Sequence, residues 1–372
     1  MLARSKLAAI FVGLIVCGGG LYRLVTASPP IAKDVERRAL WDGRSTVRFH
    51  ALTSPDMVPA AKADFMSPMD YVLGVTIAGQ SRAYPSSYVG FHHVVNDKVF
   101  SASNEASWFA VTYCDMCGTA ILYDATLDGK TRDLEFYGLY NGTIALCDRE
   151  TQSVFLPNTG QFVTGPLLGK KLKMGALLDT TWTEWKRLHG DTLVMSPDAT
   201  DREYYAETSE HKRAMSAFPK DMEFFAPTVT RTDTRLDMFE RILGVSVPIG
   251  GATGKAAALH RAYTFKALQA SSGAVEDRIG DEPVTVLFDP KTVSAVAVSP
   301  KIDGSIHHFE AIKAANGDLA FIDKETGTHW TIEGHAVSGP LSGHDLARLN
   351  SFHGEWYAWA AFFPDTSLYR AP

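Results

Sequence analysis

From Ala120 to Asp148 the chain reads Ala-Ile-Leu-Tyr-Asp-Ala-Thr-Leu-Asp-Gly-Lys-Thr-Arg-Asp-Leu-Glu-Phe-Tyr-Gly-Leu-Tyr-Asn-Gly-Thr-Ile-Ala-Leu-Cys-Asp, and the architecture can be worked out from there. Asp128-Gly129 and Asn141-Gly142 are the strongest short hairpin signals, because a positive φ is tolerated at both residues of each pair. Between and around them lie short apolar or alternating segments: Ala120–Tyr123, Asp133–Tyr137 and Ile144–Cys147. These read as strands of an antiparallel meander.

The same pattern returns further along. Residues 108–151 align without gaps to 283–326 at an offset of 175, pairing Val111 with Val286 and Ala120 with Ala295. Asp128-Gly129 meets Asp303-Gly304, Asn141-Gly142 meets Asn316-Gly317, and Asp148-Arg-Glu-Thr151 meets Asp323-Lys-Glu-Thr326. At an offset of 174, Gly165-Pro166-Leu167 meets Gly339-Pro340-Leu341, and Trp182 and Trp185 meet Trp356 and Trp359. Upstream, Leu73-Gly74-Val75 matches Leu243-Gly244-Val245. A self-similarity of this length marks an internal duplication. The expected fold is mainly β (α+β): two tandem β-meander repeats with short helices, related by a pseudo-twofold axis. The expected divisions are 1–27 as a signal peptide or membrane anchor, 64–200 as the first repeat, 201–234 as a connection, and 235–371 as a second, degenerate repeat. Thr181 to His189 reads as a short helix, capped by Thr180 or Thr181, that turns Trp182, Trp185 and Leu188 to one face as core. The connection carries too many aromatics, Tyr204-Tyr205 and Phe224-Phe225 among them, to be a floppy linker.

Composition narrows the classes. The 372 residues are 45% hydrophobic and 21% charged, which suits a globular protein rather than a disordered one. A net charge of −6 argues against a nucleic-acid binder, and four cysteines exclude a disulfide-dense scaffold. Arg4 and Lys6 precede an apolar run from Leu7 to Tyr22, and Val25 and Ala27 stand at −3 and −1 of a possible cleavage point before Ser28. Extended to Val25 the run reaches 19 residues, near the ~20 that span a bilayer, so an uncleaved anchor competes with a cleaved signal. A lipoprotein at Cys17 is a third option, opposed by Val16 where a small residue is expected. On each reading the body is exported, to the periplasmic or extracellular face, and the membrane is its partner through the N-terminal segment. Losing Arg4, Lys6 and Arg23 leaves that body more acidic than the whole chain.

Cys114-Asp-Met-Cys117 follows the apolar Trp108–Tyr113, where a strand is expected to turn. Three readings fit a C-x-x-C pair there: a soft-metal site to which Met116 can add a thioether, a redox dithiol, or a structural disulfide. No second C-x-x-C exists, so a four-cysteine zinc ribbon is excluded. Across the duplication Cys114 and Cys117 fall on Asp289 and Thr292, so the repeat does not require the pair, which favours a site over a structural staple. One of His92 and His93, just before an expected strand, can complete a set of two thiolates and one imidazole. Adjacent residues on a strand face opposite ways, so the other histidine should point away and be exposed. Cys147 reads as a buried unpaired thiol, His307-His308 as solvated, and His329, His335, His344 and His353 as residues of turns. No phosphate loop, nucleophile elbow or zinc-protease signature is present, and no nucleotide cofactor is expected.

Val111-Thr-Tyr-Cys-Asp-Met-Cys-Gly-Thr-Ala120, Leu139-Tyr-Asn-Gly142, Asp148-Arg-Glu-Thr151, Gly165-Pro-Leu167 and Trp182-Thr-Glu-Trp185 resemble the family catalogued as domain of unknown function 3179, over roughly residues 64–370. The family's Arg-Ala-Tyr-Pro run corresponds to Arg82–Pro85, and its Trp-His-Glu-Ile-Val-Asn-Asp run to Phe91–Asp97. The resemblance implies that His92 holds the family's histidine position, with His93 in place of a glutamate. Asp115 replaces a proline, which weakens a thioredoxin-like reading. The resemblance carries no activity. The leading expectation is an exported, membrane-tethered protein that binds a metal at Cys114, Cys117 and His92, copper first and zinc second, with a His92 nitrogen within about 5 Å of a thiol sulfur. A thiol–disulfide oxidoreductase using Cys114 and Cys117, and an envelope scaffold with a structural disulfide, are the alternatives.

Overall fold

A computed structural model describes residues 30–45, 49–198, 201, 205, 226–250, 258–313 and 318–371. The fold is mainly β. Among the described residues there are four short α-helices, Ser86–His92, Trp182–Leu188, Phe265–Gln269 and Trp356–Phe362. None is long and apolar enough to cross a membrane, and the proposed signal or anchor at 1–27 lies outside the described residues.

Hairpin chemistry sets the local topology. Asp128-Gly129, Asn141-Gly142 and Asp303-Gly304 all have positive φ and close tight antiparallel hairpins. Asn316-Gly317 lies outside the described residues. In the N-terminal half, Tyr71–Ile77 pairs with Gln80–Pro85 and with Leu178–Thr181. Val94–Phe100, Ala106–Cys114 and Thr119–Asp124 form an antiparallel sheet, with Leu52–Thr53 added in parallel at its edge. Leu134–Tyr140, Thr143–Asp148, Val154–Leu156 and Gln161–Phe162 form a third sheet. In the C-terminal half, Arg241–Pro248 pairs with Ala258–Thr264 and with Asn350–Glu355. Ala274–Ile279, Glu282–Asp289 and Ser294–Val298 form a meander, as do Phe309–Lys313, Leu319–Asp323, His329–Trp330 and Ala336–Ser338.

The Trp-rich helix forms where the sequence places it, Trp182–Leu188, with Thr181 Oγ1 accepting from Glu184 N at 3.4 Å as its cap. Trp182, Trp185, Trp356 and Trp359 are all buried. A buried indole removes about 150–250 Å² from water, an upper bound of about 4–6 kcal/mol each at ~25 cal/mol per Å². The polar ends of the matched pair are bound alike: Trp185 Nε1 donates to Thr192 Oγ1 at 2.9 Å, and Trp359 Nε1 to Thr366 Oγ1 at 2.8 Å. The cores cross between the halves. Trp356 and Trp359 pack in the cluster of Cys114, Cys117, Tyr123 and Phe155, while Trp182 and Trp185 pack with Leu287, Val296, Phe321 and Trp330.

Candidate functional site

The helix Ser86–His92 runs directly into the strand Val94–Phe100, and the corner is made by His93 in the left-handed conformation, φ 62°. His93 N donates back to Val89 O at 2.6 Å. His92 and His93 are therefore a helix end and its left-handed cap, not neighbours on a strand, and the expectation that one of them is exposed fails: both are buried. His93 sits edge-on to Phe49, centroids 4.4 Å apart, and against Phe136 at 5.1 Å. Burial pushes its pKa down, and its Nδ1 lies 3.3 Å from Tyr113 O.

His92 faces a different set of groups. Its Nδ1 lies 2.8 Å from His50 O, and its Nε2 lies 2.7 Å from Tyr205 Oη. A carbonyl only accepts, so the neutral ring carries its proton on Nδ1, and Nε2 presents a lone pair to the tyrosine hydroxyl. Burial, opposed by the hydrogen bond to His50 O, brings the His92 pKa down to about 4. The imidazole is neutral at physiological pH, the form that binds a metal. His50 reaches this position because Leu52–Thr53 is laid in parallel beside Val94–Phe100, which brings the residues before each strand together. The His50 ring is open to solvent and its Nε2 is 3.0 Å from Asp201 Oδ2; the same oxygen is 3.9 Å from His92 Nε2. Asp201 is buried, and Oδ2 has no hydrogen bond of good geometry. Tyr205 stacks on Tyr88 at 4.3 Å. His50, His92 and Asp201 thus bring three ligand atoms within 4.8 Å of one another.

Cys114 ends a strand, as the sequence suggests, and Cys117 is the third residue of the four-residue turn that follows it, closed by Gly118 at φ 61°. Both are free thiols, almost wholly buried. Burial, and then the adjacent Cys114, push the Cys117 thiol well up, and its Sγ donates to Thr119 Oγ1 at 3.3 Å. Among the described residues, no metal-capable group of three includes a cysteine, so Cys114, Cys117 and His92 are not brought together as a ligand set. Cys147 is a buried free thiol, and burial raises its pKa to about 12.

A second group joins His307, Asp323 and Glu325. His307, expected to be solvated, is buried with Nδ1 3.2 Å from Asp323 Oδ1, whereas His308 is exposed. Asp323 already accepts from Thr326 N and Oγ1, both at 2.7 Å, and from Trp330 Nε1 at 3.1 Å. Asp148 accepts from Thr151 in the same way, with Arg132 Nη1 at 3.8 Å where the other half has His307. A guanidinium serves there as well as an imidazole, so this carboxylate is a turn brace with a cationic partner rather than a ligand.

His50 and Asp201 were not singled out from the sequence. His50 stands alone before a two-residue strand, and Asp201 lies in the charged connection; neither sits in a motif that would have flagged it. No curated protein and no solved structure matches the chain. Residues 49–366, which include His50, His92, both cysteines and both Trp helices, match the model of the family described as protein of unknown function, DUF3179, and the chain belongs to that family.

Proposed function

We propose that the chain is an exported metal-binding protein whose ion is held by His50, His92 and Asp201. This keeps His92 as a ligand and exchanges the two thiolates for an imidazole and a carboxylate. The observation that carries it is the buried Asp201 Oδ2, without a well-formed hydrogen bond, facing the Nε2 atoms of both histidines; an ion there takes the His92 Nε2 lone pair from the Tyr205 hydroxyl, which turns away. Ligand bonds of about 2.0–2.1 Å at tetrahedral angles set donor atoms about 3.4 Å apart, between the 3.0 and 3.9 Å found here. The His50 carbonyl on His92 Nδ1 is the kind of outer partner that orients a ligating imidazole. Two imidazoles and a carboxylate suit zinc or divalent copper better than the cuprous ion that thiolates would select. The exposed His50 ring leaves an open side for water or a substrate. Calorimetric titration of the purified protein with zinc tests this. His92→Gln and Asp201→Asn should each weaken binding about 100-fold, and the double variant Cys114→Ser/Cys117→Ser should leave it unchanged. The reverse pattern would restore the thiolate site.

One observation favours a second role for the cysteines: they are adjacent, unbridged and buried where residues of both halves meet, with Cys117 O accepting from Glu355 N at 3.1 Å. A thiol–disulfide function at Cys114 and Cys117 is tested by counting thiols before and after mild reduction. Export and tethering rest on residues 1–27 and are tested by fractionation of cells that express the chain with and without them.

The two halves are, on this account, copies of one unit about a pseudo-twofold axis. Side-chain bonds recur at matched positions: Arg82 and Tyr84 on Asp97, Arg261 and Tyr263 on Asp277. Contacts across the seam are reciprocal. The strand Leu178–Thr181 meets Ser294, whose Oγ donates to Asp179 O at 2.9 Å, and the strand Asn350–Glu355 meets Cys117. Self-complementary contact of this kind is what a twofold relation requires. Superposing residues 70–195 on 240–370 in an experimental structure checks it.

A further inference from the structure

The seam between the halves holds a cavity of about 80 Å³, lined by Ala120, Leu177 and Asp179 from one side and by Ala295, Arg348 and His353 from the other. At the offset of 174, Asp179 and His353 are equivalent residues, and they face each other with His353 Nδ1 3.5 Å from Asp179 Oδ2. His353 is buried, and Nδ1 makes no hydrogen bond; Nε2 is placed against Ala295 O at 3.0 Å. Arg348 is the group that needs explaining. Its backbone is bridged to Val298, while its side chain reaches across the seam to donate from Nη2 to Leu177 O at 3.2 Å. Its Nε is sealed from solvent and has no acceptor. Among the described residues no carboxylate lies within ion-pair distance of it. Glu333, which acts on it from further away, is engaged with His189 at 2.7 Å. Arg348 as a whole is half-buried, but its Nε is a polar group taken out of water with no acceptor, which is costly unless something supplies one.

We propose that this cavity binds a small carboxylate anion, with Arg348 as its anchor and the Asp179–His353 pair as the opposite wall. A carboxylate matches the planar fork of a guanidinium in shape and charge, whereas a bare halide satisfies one N–H at a time. The volume admits a cluster of waters or a molecule of about the size of acetate, at about 30 Å³ per water-sized group, and nothing as large as a nucleotide. His353 Nδ1 stands 3.5 Å from the Asp179 carboxylate, so the wall opposite Arg348 is polar. The site is separate from His50, His92 and Asp201, and neither proposal depends on the other.

Ligand-observed NMR titration of the full chain with acetate, and with methylammonium as a control of like size and opposite charge, tests the proposal. Acetate should bind saturably in the millimolar range and methylammonium should not. Arg348→Gln should weaken acetate binding at least tenfold while zinc binding stays unchanged. Arg348→Lys, which keeps the charge and loses the fork, should fall between the two, and it decides the matter if the glutamine variant does not fold. A crystal grown in acetate should show the anion against Arg348. No saturable acetate binding, equal affinity in the Arg348→Lys variant and the wild-type chain, or water alone in the cavity of such a crystal would overturn it.

Discussion

The corner between helix and strand is built twice in this molecule, and the two versions differ in an instructive way. In the N-terminal half, Ser86–His92 passes through left-handed His93 into Val94–Phe100; in the C-terminal half, Phe265–Gln269 leads through Gly273, φ 96°, into Ala274–Ile279. The second corner is tight: a Cβ on Gly273 would stand 2.8 Å from the Ala311 Cβ. Phe136, the residue matched to Ala311, packs instead on the His93 ring. The backbone needs a left-handed residue there, and glycine meets the need without strain, whereas histidine takes on about 1 kcal/mol or more. A histidine pair at such a corner is not what the scaffold asks for. What it adds is His92, pinned by His50 O and turned toward Asp201.

The proposed equivalence of the halves is open to attack at its tightest packing. A Cβ on Gly74 would overlap the Trp185 ring, and one on Gly244 would overlap the Trp359 ring. Gly74→Ala and Gly244→Ala should each destabilise by about 3 kcal/mol, the upper end for overpacking. Denaturant unfolding reads both, and a large inequality between them would break the comparison.

Acid sharpens the difference between the corners. His92 titrates at about 4 in the folded chain, against ~6.5 for an unperturbed histidine. Between these values the unfolded chain binds the proton that the folded chain refuses. Stability through His92 is therefore full above about pH 6.5, falls as the pH drops toward 4, and is level below that, a loss of about 3 kcal/mol at most. In His92→Gln the slope of stability against pH over this window should shrink; an unchanged slope would mean that His92 is not held neutral by burial.

Exchange at the corner itself should have the smallest effects. Gly273→Ala is expected to cost about 1–2 kcal/mol, from a strained φ and the Ala311 contact. Thermal unfolding of this variant measures it, and a loss of nothing at all would reverse the reading of the corner.

What the sequence made legible was local. Asp-Gly and Asn-Gly mark their own hairpins, the Trp pair at i, i+3 marks its own helix, and the strand before Cys114 ends where its apolar run ends. The misreadings share a cause. His92-His93 reads as strand because Val94-Val95 follows, but one left-handed residue converts a helix into a strand with no loop between. His307 looked solvated beside His308, but its partner, Asp323, lies 16 residues away across a hairpin. His50 and Asp201 meet His92 only through a parallel edge strand and a long connection, and such contacts leave no periodicity to read.

X-ray absorption of the zinc-loaded chain tests the central claim most directly, because the ligand element is seen by its bond length. The account expects only nitrogen and oxygen neighbours at about 2.0–2.2 Å, with the spectrum unchanged in Cys114→Ser/Cys117→Ser and altered in His92→Gln. A sulfur shell at about 2.3 Å would contradict it and return the metal to the cysteines.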